Sequence, residues 1–471
     1  MERLMRGSWF LPAVLAACGA GENAGGSGAA KDAAAPASGG PTTGSPALSG
    51  ATGVAAGAKS NVLVIVIDTL RADALGVYGQ PRATSPHLDQ FAKEAVVWED
   101  AWTQYTWTLP SFVTYMTSTF ARTNGWTYKM GQLDTYRAIA TPAPTLAEIL
   151  KGAGYHTVGA YSNEHLRADL GCDRGFDSWT KGAEQGVVRA AVTEIGGWTK
   201  DPAPDFLYVH LMATHVPLLP TAESLAAVGA TAVADGGKGI GYDHWIKAPD
   251  DQKPARLEEL RGAYYASTRD GDARVGEILA ALDASGQRGH TVVAFFSDHG
   301  ELLGEHGQAG HGPMIWDELT RVPLMIRAPG QEPRRVTDRI GRLVDLAPTL
   351  LTLVGVPVPA PWQGRSLFDG SDPLAVVERD HMIGFSEDGR FKSHEDRAKE
   401  TPIFAFDLET DPGEASPIRD ASQPWWQSLG RASASWRAAT PVGANDGKAL
   451  VLGADEHART VEALKQLGYV E

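Results

Sequence analysis

Two runs of β-branched and aromatic residues stop abruptly on an acid. Asn61-Val62-Leu63-Val64-Ile65-Val66-Ile67 ends at Asp68, and Thr291-Val292-Val293-Ala294-Phe295-Phe296 ends at Ser297-Asp298-His299-Gly300-Glu301. Continuous apolar runs of this length predict parallel strands buried on both faces. Segments 156–161, 205–211 and 322–326 predict further strands. Helical spacing separates them. It begins at Pro86, with Ser85 as cap and Leu88, Phe91, Ala92 and Ala95 on one face, and returns at 144–150, 256–282 and 343–354. Gly152 and Gly154 stop the second of these helices. Strands alternating with helices predict an α/β fold with a mainly parallel sheet. After Pro357, Pro361 and Gly364 the pattern weakens to short strands at 381–385 and 403–406 and a helix at 456–467. These predict a smaller antiparallel unit with a helix, from about residue 361 to 471, beside a main domain of residues 61–360.

The strand ends carry the chemistry, because ligands of open α/β sheets bind at the carboxyl ends of the strands. Asp68, Asp298 and His299 brought to one sheet edge can hold a divalent cation, and a lone buried Asp would be costly. Trp107-Thr108-Leu109-Pro110-Ser111 opens another helix, since Pro suits a first turn. A hydroxyl at Thr108 either faces the free N–H groups there, a seat for a sulfate or phosphate group, or simply caps the helix. His215 follows the strand at 205–211 and lies at the same edge. A polar insertion at 221–251 is expected to be a surface loop, and the Gly-rich stretch from Gly304 to Gly312 is expected to be irregular. That stretch supplies His306 and His311 as further candidates.

Composition narrows the options. The 471 residues carry a formal charge of −15 with pI near 5.4, which disfavours nucleic-acid or anionic-membrane binding through a basic surface. There are two cysteines, so no disulfide framework and no thiolate zinc cluster. Cys18 closes a segment with more bases than acids at its start, an apolar stretch, and then Leu15-Ala16-Ala17-Cys18-Gly19. This pattern resembles a bacterial lipoprotein signal over residues 1–18, with lipid carried on Cys18. Residues 19–60 are rich in Gly, Ala, Ser and Pro and cannot offset their ordering entropy, so a flexible tether is expected. The expected location is therefore the cell envelope, anchored to a bacterial membrane on its periplasmic or outer-membrane side. Cys172, the remaining thiol, reads as a small packed hydrophobe. Oligomeric state is not legible.

Several motifs in order resemble the sulfatase family of the alkaline-phosphatase superfamily. They are Asp68-Thr69-Leu70-Arg71-Ala72-Asp73, Thr84-Ser85-Pro86-His87-Leu88-Asp89, Ser297-Asp298-His299-Gly300-Glu301, Arg321-Val322-Pro323-Leu324, Asp345-Leu346-Ala347-Pro348-Thr349 and Asp407-Leu408-Glu409-Thr410-Asp411-Pro412-Gly413-Glu414. The resemblance implies a large mixed sheet flanked by helices and a smaller C-terminal antiparallel sheet with a helix. It implies Asp68, Asp298 and His299 as ligands of a divalent metal ion (Ca, Mg, Mn or Zn) and Thr108 as the nucleophile. His215 falls on a histidine that contacts the substrate anion or leaving group.

This chain departs from the family pattern in specific places. Sulfatases oxidise Cys or Ser to formylglycine within Cys/Ser-x-Pro-Ser-Arg, whereas here the segment is Thr108-Leu109-Pro110-Ser111-Phe112. No formylglycine is therefore expected. Thr69 stands where a second acid usually follows the first ligand, and His311 where many members have lysine. The expected function is metal-dependent hydrolysis of sulfate or phosphate esters. The alternatives are transfer of a phosphoryl headgroup within the cell envelope, favoured by Thr108, and a catalytically inactive binding protein, favoured by Thr69 and Phe112.

Overall fold

The computed structural model of the chain describes residues 60–125, 136–137, 141–198, 203–231, 233, 236–312, 314–370, 374–379, 381–397, 399–443 and 449–450. All of them belong to one compact unit, Ser45–Glu471. The expected lipoprotein signal, the expected linker up to residue 59 and the expected helix at 456–467 lie outside the described residues. Ser60 is already packed, its carbonyl accepting from the Tyr155 hydroxyl at 2.9 Å.

One mixed eight-stranded sheet organises this unit. Its strands are β1 (Asn61–Ile67), β2 (Val96–Trp98), β3 (His156–Tyr161), β4 (Ser178–Lys181), β5 (Asp205–Leu211), β6 (Thr291–Phe296), β7 (Leu324–Arg327) and β8 (Arg334–Val336). They lie side by side as β8-β2-β7-β6-β1-β5-β3-β4. Strand β7 runs antiparallel to both neighbours, and the other pairings are parallel. The central strand β1 has β6 on one side and β5 on the other, with Val66 level with both Phe296 and His210. The carboxyl ends of these three strands therefore meet at a switch point of the sheet.

Alternation along β1 sorts its side chains into two cores. Val62, Val64 and Val66 pack with Leu109, Phe112 and Met116 of α2 (Thr108–Thr117), Leu146 and Leu150 of α3 (Leu146–Gly152), and Leu346 and Leu350 of α9 (Leu346–Leu353). Leu63, Ile65 and Ile67 pack with Leu88 and Phe91 of α1 (Pro86–Ala92), Val187 of α4 (Glu184–Ile195), and Leu260 and Tyr264 of α7 (Lys253–Ala284). Helices thus cover both faces, as burial of both faces of a parallel sheet demands. Among the described residues no helix is long and apolar enough to cross a membrane.

A second sheet joins β9 (Ala375–Arg379), β10 (Met382–Ser386), β11 (Phe391–Asp396) and β12 (Thr401–Asp407), each antiparallel to the next. Helix α10 (Pro424–Ala439) packs Leu429 and Trp436 on Val376, Ile383 and Phe385 of this sheet. The sequence pattern located β10 and β12 but not β9, β11 or α10. In β11 the buried residues include Lys392 and His394, which face the buried Glu414 at 3.2 Å and 3.1 Å, so the strand carries no apolar run.

Three local expectations are corrected. The Ser85 hydroxyl does not cap α1; Asp272 of α7 does, accepting from the amides of His87 at 3.0 Å and Leu88 at 2.7 Å. The insertion at 221–251 contains α5 (Ala222–Val228) and α6 (Asp243–Ile246), both too short to show a clear apolar period. The Gly-rich stretch after Leu303 is regular in part. Leu302–Leu303 pairs with Ala309–Gly310 across a turn in which Gly304, His306 and Gly307 all take positive φ.

Candidate active site and metal centre

Asp68 directly follows β1 and Asp298 follows β6 by two residues, so adjacent parallel strands deliver both carboxylates to one place. Thr69 turns the chain there with φ of 58°. Its amide donates to Asp298 Oδ1 at 3.3 Å and its hydroxyl to the Asp68 carbonyl at 2.7 Å. The position of the family's second acid thus supplies a turn and an amide.

Helix α2 brings in the hydroxyl. Trp107, with extended backbone, is the N-cap residue, and Thr108 is the first helical residue. Thr108 Oγ1 lies 3.3 Å from Asp68 Oδ2, 3.4 Å from His299 Nε2 and 3.4 Å from Asn163 Nδ2. Ser111, one turn on, donates to the Asp298 carbonyl at 2.8 Å and staples the helix to the end of β6.

Three of the four sequence-predicted histidines, His215, His299 and His311, assemble around this pair. His299 Nδ1 donates to the Gly300 carbonyl at 2.9 Å, which leaves Nε2 as the basic nitrogen. That nitrogen stands 3.9 Å from Asp68 Oδ1 and 3.6 Å from Asp298 Oδ2. Both of these oxygens are buried without a hydrogen-bond partner, an arrangement that a bound cation would satisfy. The His311 ring lies 4.7 Å from that of His299 and 5.4 Å from that of His215. His311 Nδ1 faces Glu301 Oε1 at 3.3 Å, and Glu301 in turn accepts from the Tyr242 hydroxyl of the insertion. His306 is not brought in; it stacks on Trp316 at 4.1 Å and faces Glu318 of α8 (Asp317–Thr320).

Sequence reasoning missed Asn163, His210 and Tyr208. Asn163, just past β3, donates to Asp68 Oδ2 at 2.6 Å. His210 Nε2 approaches the same oxygen at 2.9 Å. On its other side His210 Nδ1 lies 2.8 Å from the Tyr208 hydroxyl, itself 2.7 Å from that of Tyr115. The consistent direction is Tyr115 to Tyr208 to His210 to Asp68, each donating to the next. The available signal was Tyr208 and His210 at alternate positions of an otherwise apolar strand. Asp68, His210 and Asp298 also form a set whose ligand atoms lie within 4.8 Å of one another.

Electrostatics sharpen the contrast between the two carboxylates. Burial alone would raise Asp68, yet the hydrogen bond from His210 and the neighbouring imidazoles hold it well below the usual carboxylate range. Asp298 is pushed well above that range, first by burial and then by the charge of Asp68. His299 and His311 are pushed well below the usual histidine value, mainly by burial, and so are neutral. Two acids sharing a dry site among neutral imidazoles favour a cation. Asp68, Thr108, Asp298 and His299 have no solvent exposure, whereas His215 is 3% and His311 8% exposed. Of these residues, His215 and His311 are the nearest to solvent.

A three-layer α/β sheet thus brings paired carboxylates, imidazoles and a helix-borne hydroxyl to one strand-end edge. The chain belongs to the sulfatase family, whose profile, described as Sulfatase, matches residues 60–356. It is 27% identical over 357 residues to an ulvan-active sulfatase of Formosa agariphila, covering 68% of this chain and 67% of that protein. It is 26% identical over 450 residues to an arylsulfatase of Clostridium perfringens, covering 78% and 91%. A solved structure of the phosphonate monoester hydrolase from Silicibacter pomeroyi superposes with a TM-score of 0.61 and 21% identity, covering 82% and 96%.

Proposed function

We propose that this chain is a metal-dependent hydrolase of sulfate or phosphate esters that uses the unmodified hydroxyl of Thr108 as nucleophile. The carrying observation is Thr108 Oγ1 within 3.4 Å of both Asp68 and His299 at the start of α2. Asp68, Asp298 and His299 are the residues that would hold a divalent cation, because their bare oxygens and basic nitrogen converge. Such a cation would draw charge from the ester oxygens and lower the pKa of the hydroxyl. His210 is better read as a partner of Asp68, since both its ring nitrogens are in hydrogen bonds.

Thr108 Oγ1 attacks sulfur or phosphorus in line, forming one S–O or P–O bond as the bond to the leaving oxygen breaks. The amides at the start of α2 stabilise charge on the transferred group. The Thr108 hydroxyl proton leaves to solvent, and the imidazoles of His215 and His311 relay one proton from water to the leaving alcohol. Water then releases the group from Thr108. Phe112 supports an unmodified threonine: the arginine of the modification motif is replaced by a ring packed 5.5–6.0 Å from Tyr115, Tyr208 and Trp179. The Leu15-Ala16-Ala17-Cys18-Gly19 pattern supports envelope location through lipid on Cys18.

The test is turnover by metal-loaded protein on matched aryl sulfate, phosphate monoester and phosphodiester, beside Thr108→Ala. Activity on one ester that vanishes in the variant supports the reading and names the ester. Transfer of the group to an added alcohol instead of water would mark a transferase. No turnover, with no rise of melting temperature on adding metal, would leave a binding protein.

A further inference from the structure

A second convergence of ligand-type side chains lies at the other end of the sheet. His156 opens β3 and Asp205 opens β5, level with one another in the parallel ladder. Glu194 stands in the last turn of α4. Strand β5 separates this group from His210 by about 17 Å, at roughly 3.3 Å per residue, so it is distinct from the site above.

Its geometry is that of a ligand set. His156 Nδ1 lies 3.3 Å from Glu194 Oε1 and 3.3 Å from Asp205 Oδ1. The three ligand atoms lie within 4.8 Å of one another. His156 Nδ1 is thus within hydrogen-bond distance of Asp205 Oδ1, although beyond the roughly 2.7–2.9 Å of a charge-assisted bond. Tetrahedral zinc with bonds of roughly 2.0–2.2 Å holds its ligand atoms about 3.4 Å apart. The equal spacing matches two edges of such a tetrahedron.

Charge and placement agree. Glu194 sits at a helix C-terminus, whose partial negative charge opposes an acid, and the last turn of α4 contains no basic residue. Asp205 is fixed by its amide, which donates to Asn61 Oδ1 at 2.9 Å, and His156 by its amide, which donates to the Pro204 carbonyl at 2.9 Å. The His156 side chain is 46% exposed, which leaves solvent access for a water ligand.

We propose that His156, Glu194 and Asp205 form a second metal site that binds Zn2+ with water in the fourth position, tying α4 to the first residues of β3 and β5. The site is structural and does not depend on the ester chemistry.

The experiment is calorimetric titration of the full chain with Zn2+ near neutral pH, beside His156→Ala and Glu194→Gln, with thermal melts and ester turnover on the same samples. Both variants are expected to lose one equivalent of bound Zn2+ and part of the zinc-induced rise in melting temperature, with turnover unchanged. Equal stoichiometry in wild type and His156→Ala overturns the proposal. So does loss in His156→Ala alone, which would indicate an ordinary exposed histidine. Because both side chains reach solvent, circular dichroism should show the native fold in each variant.

Discussion

Asp68 and Thr108 come from different elements, the end of β1 and the start of α2, and meet with Oγ1 3.3 Å from Oδ2. The N-cap position belongs to Trp107, so the Thr108 hydroxyl is not engaged as a cap. Thr108→Ala is therefore expected to lower kcat by at least about 10³-fold, as removal of a nucleophile does. The melting temperature should change little and the metal-induced rise should persist. Thr108→Ser should keep measurable turnover. Steady-state kinetics and melts with and without metal check both, and equal turnover by wild type and Thr108→Ala would remove Thr108 from the chemistry.

Phe112 fills a buried aromatic cluster where the family motif has arginine. Restoring the motif residue as Phe112→Arg puts a guanidinium among Tyr115, Tyr208 and Trp179. An uncompensated buried charge costs about 3–5 kcal/mol. Urea unfolding should show a loss of that order or a failure to fold.

Tyr208 acts on Asp68 through His210. Tyr208→Phe removes the hydroxyl 2.8 Å from His210 Nδ1 and leaves that nitrogen without its donor. The imidazole can then turn or change tautomer, and its hold on Asp68 Oδ2 loosens. Loss of such a supporting partner typically costs 10–100-fold in metal affinity or activity. A drop of roughly 10-fold is expected in metal affinity, read by titration, alongside a lower kcat.

How much of this was legible follows from where each residue sits. Asp68, Asp298 and His299 end apolar runs, so the break in pattern marks them, and Thr108 is marked by Pro110. His210 and Tyr208 lie inside a run that reads as a strand, where polar side chains draw attention only once the sheet order is known. Asn163 lies beyond a strand end, and nothing in the sequence says that β3 and β1 share an edge across β5. The second sheet was half legible because β11 buries Lys392 and His394 against Glu414, a pairing that no periodicity reveals.

Glu301 gives the site a pH signature. It is buried and pushed up to about 8, first by burial, with the nearby imidazole of His215 and the Tyr242 hydroxyl acting the other way. Its folded value is thus above its unfolded value of about 4.5. Between these values the unfolded chain has released the proton and the folded chain still holds it, so stability falls as pH rises. The cost is absent below about pH 4.5 and complete once pH passes about 8. Glu301→Gln lacks this titration. Its melting temperature relative to wild type should therefore climb between about pH 5 and pH 8 and level off above, in metal-free protein at constant ionic strength. A difference that stays flat across that window would mean that Glu301 ionises normally in the fold and that solvent or the His311 ring compensates its charge.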